Sequence, residues 1–326
     1  MKTKDLTTPT TLVEAIRYFT DPDICLSFMV ALRWPNGVEC PQCASDKVTF
    51  LANARLWKCH TKHPRQKFSV KVGTIFEDSP IALDKWLAAI WMIANDKNGV
   101  SSYEIHREIG VTQKSAWFML HRIRLAMQTG TFKKLSGQVE SDETYIGGKA
   151  RNMHKYKKAQ SIKGRGTAGK AIVMGILERH GKDAVSKVRA KVIHSTATPT
   201  IEKEIREAVE PNSVLFTDEL SSYAGLDKEY VHKVINHMES YVKGNVHTNG
   251  IENFWSLLKR TIRGTYVSVE PFHLFRYVDE QSFRFNKRDN DNAGRFTEVL
   301  NSTVGKRVTY KKLTGREDPA VSTTPA

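Results

Sequence analysis

Long apolar runs are missing from this chain. The longest uncharged apolar stretch, Trp86 to Asn95, falls far short of the roughly 20 residues that a bilayer-spanning helix needs. The first residues, MKTKDLTTPTTLVEAIRYF, contain no apolar signal core. Cysteine is scarce, with four in 326 residues, which argues against a disulfide framework in a chain of this length. Acidic residues are outnumbered, 35 Asp plus Glu against 50 Lys plus Arg, for a formal net charge of +15. No internal repeat is visible. These absences predict a soluble, cytoplasmic protein in a reducing compartment, with no membrane partner. The basic excess points to an anionic partner, nucleic acid ahead of a membrane surface; scattered surface lysines are the plainer alternative. At 40% hydrophobic residues the chain can bury a core, and its length suggests two or more domains.

Thr10 to Phe19 reads as a short helix capped by Thr10 or Thr11, with Leu12, Ile16 and Phe19 on one face. Pro22 opens a second helix that stops at Trp34, before Pro35 and Gly37. Cys25 lies in it among apolar residues and reads as a core cysteine rather than a ligand. The other three cysteines follow, in the pattern C-x2-C-x15-C-x3-H formed by Cys40, Cys43, Cys59 and His63. Residues 48–51 and 55–58 read as hairpin arms between the two knuckles. Zinc takes four N or S ligands at tetrahedral positions, and two tight turns across a hairpin supply them. One structural zinc ion is expected. His63 is the expected fourth ligand, and His60, adjacent to Cys59, is its rival. A reduced or redox-active CxxC is the alternative, but no thioredoxin-like pattern surrounds it.

Leu83 to Ala94 reads as a helix buried through Leu83, Trp86, Leu87, Ile90 and Trp91. A shorter helix ending at Gly110 and a longer one from about Thr112 then match a helix-turn-helix, although a plain helical hairpin gives the same pattern. Trp117, Leu120, Ile123 and Leu125 or Met127 are the buried candidates. Gln113, Lys114, Ser115, His121 and Arg122 or Arg124 are expected on the exposed face, where such side chains meet base edges and phosphates.

Residues 130–137 read as a linker. QVESDETYIGG starts a new domain with a strand, and an arm rich in lysine and arginine follows. Lys149, Arg151, Lys157 and Lys158 in that arm are candidate DNA-backbone contacts; a merely solvated loop is the alternative. Downstream, the order is strand, strand, helix, strand, helix, strand, helix. With the first strand this predicts an α/β domain, a ribonuclease H-like mixed sheet with flanking helices. The expected division is N-terminal helices over 1–37, a zinc ribbon over 38–76, a helix-turn-helix region over 80–130, a catalytic domain over 137–290 and a polar tail over 291–326 that frays after Arg307.

Three carboxylates stand out. Asp142 follows the first strand-like run of that domain, as a strand-end ligand would. Asp218 ends VLFTD. Glu252 lies one turn into a helix. Carboxylates at strand ends and on a helix across the sheet are what a site needs to hold two divalent cations on a phosphodiester. Glu140, Glu143 and Glu219 are rivals, and Glu140 shares a strand face with Asp142. Solvated surface carboxylates are the alternative reading. His247 and Asn249 precede Glu252 and could act on a phosphate, although capping the helix is the simpler role for Asn249.

VESDETYIGGK, LFTDE and HTNGIENFWSLLKR, behind CPQC and KFSVKVGTIFEDS, resemble insertion-sequence transposases of the DDE class. The chain is most similar to the bacterial zinc-ribbon, ISXO-type group related to eukaryotic Merlin elements. The resemblance runs from about Leu12 to about Phe285. It implies that Asp142, Asp218 and Glu252 are the catalytic triad, with two Mg²⁺ or Mn²⁺ ions as cofactor. It implies that Lys259, with Arg260 beside it, contacts DNA near the site. Water would first free a 3′ hydroxyl at an element end, and that hydroxyl would then attack target DNA. The implied partners are double-stranded DNA at element ends and target, which places the protein at the nucleoid, and further copies of the chain once ends are paired. A transposase-derived regulator without catalysis and a nuclease on the same fold are the competing readings.

Overall fold

The structure is a computed structural model that describes residues 8–128, 133–147, 169–180, 185–218, 221–234 and 247–316. It divides into two units, one built from the chain up to Met127 together with the segment from Asn290 onward, the other from Gln128–Asp289.

In the first unit, α1 (Leu12–Tyr18) begins where the Thr11 side chain accepts from Glu14 N at 3.2 Å. Its buried face is not the expected one. Ala15 and Phe19 are buried, whereas Leu12 and Ile16 remain 39% and 53% exposed. Helix α2 (Pro22–Arg33) starts at Pro22 behind Asp21 as cap and buries Cys25 completely, as a core cysteine should be. A small antiparallel sheet of β1 (Val48–Leu51), β2 (Leu56–Cys59) and β3 (Lys67–Phe68) follows. Arg55, in the left-handed region at φ 49°, turns β1 into β2. Trp57 stacks on Phe68 beneath it.

Helix α3 (Leu83–Asn95) buries Trp86, Leu87, Ile90 and Trp91. Helix α4 (Ser102–Ile109) opens with a Ser101–Glu104 capping box and closes at Gly110, whose φ of 63° favours glycine. Helix α5 (Gln113–Met127) follows. The expected exposed face of α5 is wrong beyond its first turn. His121, Arg122 and Arg124 are all buried. Arg122 is 4% exposed, donates through Nη1 to the carbonyls of Ile75 and Glu77, and lies over the Phe118 ring. It ties down the preceding loop and is withdrawn from any DNA contact. Lys114 is exposed, and Gln113 is half-buried with its amide donating to Ser102 Oγ at 2.9 Å.

The C-terminal segment also departs from expectation. Instead of a polar tail from residue 291, α9 (Asn292–Asn301) buries Phe296, Val299 and Leu300. Phe296 packs against Phe19, Phe28 and Trp91 at centroid distances of 5.9, 6.4 and 5.1 Å. Val308 and Leu313 are buried beyond it, Leu313 on the short helix α10 (Tyr310–Leu313). Three apolar residues at helical spacing outweigh the polar composition around them.

The second unit is a mixed five-stranded sheet with helices on both faces, consistent with a ribonuclease H-like domain. Its strands are β4 (Gln138–Ile146), β5 (Ala171–Glu178), β6 (Lys187–Ile193), β7 (Val214–Thr217) and β8 (Val231–Val234), in the order β6-β5-β4-β7-β8. β4, β5 and β6 pair antiparallel, whereas β7 and β8 join parallel beyond β4. Strand alternation divides the core. Val139, Met174, Ile176 and Leu215 pack with α6 (Thr198–Ala208) and with Tyr223 and Leu226 of a 3₁₀ turn. Val173, Leu177 and Val188 pack with α7 (Asn249–Thr261) and α8 (Leu274–Asn286). α7 starts at Asn249, one residue earlier than expected, and Thr248 occupies the cap position without capping through its side chain.

Candidate active site and candidate metal centre

The sheet register sets the first two carboxylates side by side. β4 and β7 run parallel with Glu140 opposite Phe216, so Asp142 and Asp218 each lie two residues beyond the same pair. Alternation turns Glu140 and Asp142 to the face covered by α7, and Ser141 and Glu143 to the other face. Asp142 lies opposite Gly175 on β5. A Cβ at Gly175 would stand 2.6 Å from the Trp255 ring, so the missing side chain is what lets this indole of α7 lie on the sheet. There Trp255 donates Nε1–H to Asp142 Oδ2 at 2.9 Å, while the Glu143 amide donates to Oδ1 at 2.8 Å.

Glu252 is exposed on the first turn of α7, where Thr248 Oγ1 donates to its Oε1 at 3.2 Å. Burial, aided by the negative charges of Asp218 and Glu252, pushes the Asp142 carboxyl up to about 6; the two hydrogen bonds work against the shift. Three hard oxygen donors that repel one another on a half-buried surface suit a divalent cation such as Mg²⁺ or Mn²⁺. Their carboxylate oxygens are not among the groups of potential ligands drawn tightly together among the described residues. Lys259, half-buried, and Arg260, exposed, lie on the last turns of the same helix.

The rival carboxylates have other partners. Glu143 faces away from α7 and accepts from the Tyr223 hydroxyl, which also lies 3.0 Å from Ser141 Oγ. Burial raises the Glu143 carboxyl to about 7. Glu140 is buried, accepting from Arg179 Nε at 2.6 Å and from Ile251 N at 2.7 Å. It thus serves one N-terminal amide of α7, a capping part that the sequence offered to Asn249. Glu219 and the basic residues Lys149, Arg151, Lys157 and Lys158 lie outside the described residues.

In the first unit, Cys40, Cys43, Cys59 and His63 converge, with all four ligand atoms within 4.8 Å of one another. Cys40 Sγ lies 3.4 Å from His63 Nε2, and Cys43 Sγ lies 3.6 Å from Cys59 Sγ. A tetrahedron with ordinary Zn–S and Zn–N bonds has edges of about 3.5 to 3.8 Å, so the spacing fits zinc. His63 Nδ1 lies 2.7 Å from the Pro64 carbonyl, which holds the Nδ1–H tautomer and leaves the Nε2 lone pair for a metal. His60 points elsewhere, with Nε2 2.8 Å from Thr49 Oγ1.

The family model for the ISXO2-like transposase domain matches residues 134–286, and that for the transposase zinc-ribbon domain matches residues 21–61. An uncharacterized transposase-like protein of Haemophilus influenzae is 34% identical over 104 residues, covering 32% of this chain and 84% of that protein. This chain belongs to the ISXO2-like transposase family. An uncharacterized protein in transposable element ISH50 of Halobacterium salinarum is 26% identical over 254 residues, covering 75% of this chain and 84% of that protein.

The transposase-domain match contains Asp142, Asp218 and Glu252, together with Glu143, Thr248 and Trp255, which bond to Asp142 and Glu252. The ribbon match contains the three cysteines and ends before His63. Sequence reasoning missed Trp255, Gly175, Arg179 and Tyr223. Trp255 had one available signal, its position three residues after Glu252, which places the two on neighbouring turns of one helix. Its spacing reads equally as core.

Proposed function

We propose that this chain is an active transposase, which binds the ends of an insertion sequence, cleaves DNA there and joins the 3′ hydroxyl ends to target DNA. The observation that carries the proposal is geometric: Asp142 on β4 and Asp218 after the paired strand β7 lie equally far beyond one register pair, and α7, which carries Glu252, packs on the same face through Trp255. Asp142, Asp218 and Glu252 would hold two Mg²⁺ or Mn²⁺ ions. When bound, these supply activation of the attacking oxygen and charge neutralisation at the leaving oxygen. The chain's own residues orient. Trp255 holds Asp142 in one rotamer, and Thr248 holds Glu252. Lys259 and Arg260 would take DNA phosphates along the same helix. Cleavage and joining are both in-line displacements at phosphorus, so one site serves both.

The first unit would supply end recognition. Cys40, Cys43, Cys59 and His63 would bind one structural zinc, without which so small a ribbon scarcely folds. The α4–α5 pair would present Lys114 and Gln113 to DNA as a helix-turn-helix. Lys149, Arg151, Lys157 and Lys158 would add backbone contacts. Pairing of ends would bring copies of the chain together.

Labelled DNA from the sequences flanking its gene, incubated with protein, Mg²⁺ and a target plasmid, tests the proposal. Joined product supports a transposase. Cutting without joining indicates a nuclease, and binding alone a regulator.

A further inference from the structure

We infer that Glu140 and Arg179 are positioning residues, a buried clamp that sets helix α7, and with it Glu252, against the strand that carries Asp142. The inference rests on the two-metal reading of the carboxylates. Glu140 is 1% exposed and lies one pleat repeat before Asp142. Both its oxygens are engaged: Oε1 accepts from Arg179 Nε at 2.6 Å, and Oε2 accepts from the Ile251 amide at 2.7 Å. Ile251 is the residue before Glu252. The amides of a helix's first turn lack intrahelical partners and carry partial positive charge, so a carboxylate from a neighbouring strand fixes where that turn sits.

Arg179 widens the clamp. It stands just past the end of β5. Its Nη2 donates to the His247 carbonyl and lies 2.9 Å from His247 Nδ1. Its guanidinium carbon lies 4.1 Å from the centre of the Phe216 ring, on the strand that leads to Asp218. Arginine only donates, so Nδ1 of His247 accepts and a neutral ring carries its proton on Nε2. The 3.7 Å from that Nδ1 to Glu140 Oε1 is too long for a competing hydrogen bond. One buried ion pair therefore touches β4, the end of β5, β7 and the entry to α7. Gly250 completes the fit. A Cβ there would stand 2.9 and 3.1 Å from the Glu140 oxygens and 3.1 Å from Leu177, so the helix turn rests directly on the carboxylate.

The clamp is tested with Glu140→Gln, the milder Arg179→Lys, and the double variant Glu140→Gln/Arg179→Met, using full-length, zinc-loaded protein without DNA. Three quantities are read: Mn²⁺ affinity by electron paramagnetic resonance, amide exchange of residues 249–255, and thermal melting. Glu140→Gln should weaken Mn²⁺ binding about tenfold, the lower end for loss of a residue that supports metal ligands. Exchange in the first turn of α7 should quicken. Arg179→Lys keeps the charge beside Glu140 but cannot also reach His247, and should give a smaller change in the same direction. In the double variant neither charge is left alone, so melting should recover while Mn²⁺ affinity stays low. A merely structural role would restore both together, and that result overturns the inference. So do unchanged exchange and unchanged affinity in a well-folded Glu140→Gln. If wild-type protein takes up no Mn²⁺, the metal reading fails and the clamp loses its functional part.

Discussion

The indole N–H of Trp255 reaches Asp142 only because Gly175, the residue paired with Asp142 across β4 and β5, has no side chain. One hydrogen bond thus depends on two positions distant in sequence. Trp255→Phe keeps an aromatic ring on the sheet, though a smaller one, and removes the donor. It should lower Mg²⁺-dependent cleavage about tenfold, as loss of a metal ligand's hydrogen-bond partner does. Gly175→Ala should cost about 1 to 3 kcal/mol by overpacking and should impair cleavage as well, because the ring must move. Urea unfolding and single-turnover cleavage of both variants check this. Wild-type cleavage in both would show that the contact is idle.

The raised carboxylates make stability depend on pH. Asp142 at about 6 and Glu143 at about 7 lie above their ordinary values of 3.8 and 4.5. In the metal-free protein the folded state therefore keeps protons that the unfolded chain has released. The stability these groups contribute is fully present below their unfolded values and is lost as pH rises through about 6 and 7. Asp142→Asn should melt higher than wild type at pH 8, and the gap should close towards pH 4. Metal-dependent activity should rise with pH across the same window, because only the ionised carboxylate binds a cation. A melting temperature of metal-free wild type that climbs from pH 5 to pH 8, with no gain in Asp142→Asn, would contradict the assignment.

The zinc ribbon predicts one zinc per chain. His63→Ala and Cys40→Ser should each lose it, whereas His60→Ala should keep it, because His60 bonds to Thr49 rather than turning to the cluster. Metal analysis of proteins purified without chelator decides between the histidines.

The C-terminal segment predicts a stability effect of its own. Phe296 is buried among Phe19, Phe28 and Trp91. Phe296→Ala should cost about 3 to 5 kcal/mol, the usual range for truncating a buried phenylalanine. A solvated tail would show no change in urea unfolding.

The sequence exposes periodic features more readily than it exposes contacts. β5 and β7 are legible because apolar runs mark them, and the CxxC knuckle is legible because ligand spacing is local. α1 misleads, since Leu12 and Ile16 stand on a helix whose buried side is set by Ala15 and Phe19. Arg122 misleads because an arginine reads as surface, yet its Nη1 donates to two backbone carbonyls inside the unit. Glu140 and Asp142 are indistinguishable by alternation alone. What separates them is the approach of Ile251 and Arg179, residues 111 and 39 positions away, and no local pattern carries that. Gly175 is legible only once Trp255 is in place over it.

The central claim is that Asp142, Asp218 and Glu252 together hold the metals that cut and join DNA. The most direct measurement is strand transfer of a labelled, pre-cut element end into a plasmid, run in Mg²⁺ with wild type, Asp142→Asn, Asp218→Asn and Glu252→Gln, with end binding measured alongside. An amide keeps the shape of a carboxylate and loses its charge, so each variant should bind the end as wild type does and yield joined product reduced at least about a hundredfold. Wild-type joining by any of the three variants would contradict the account.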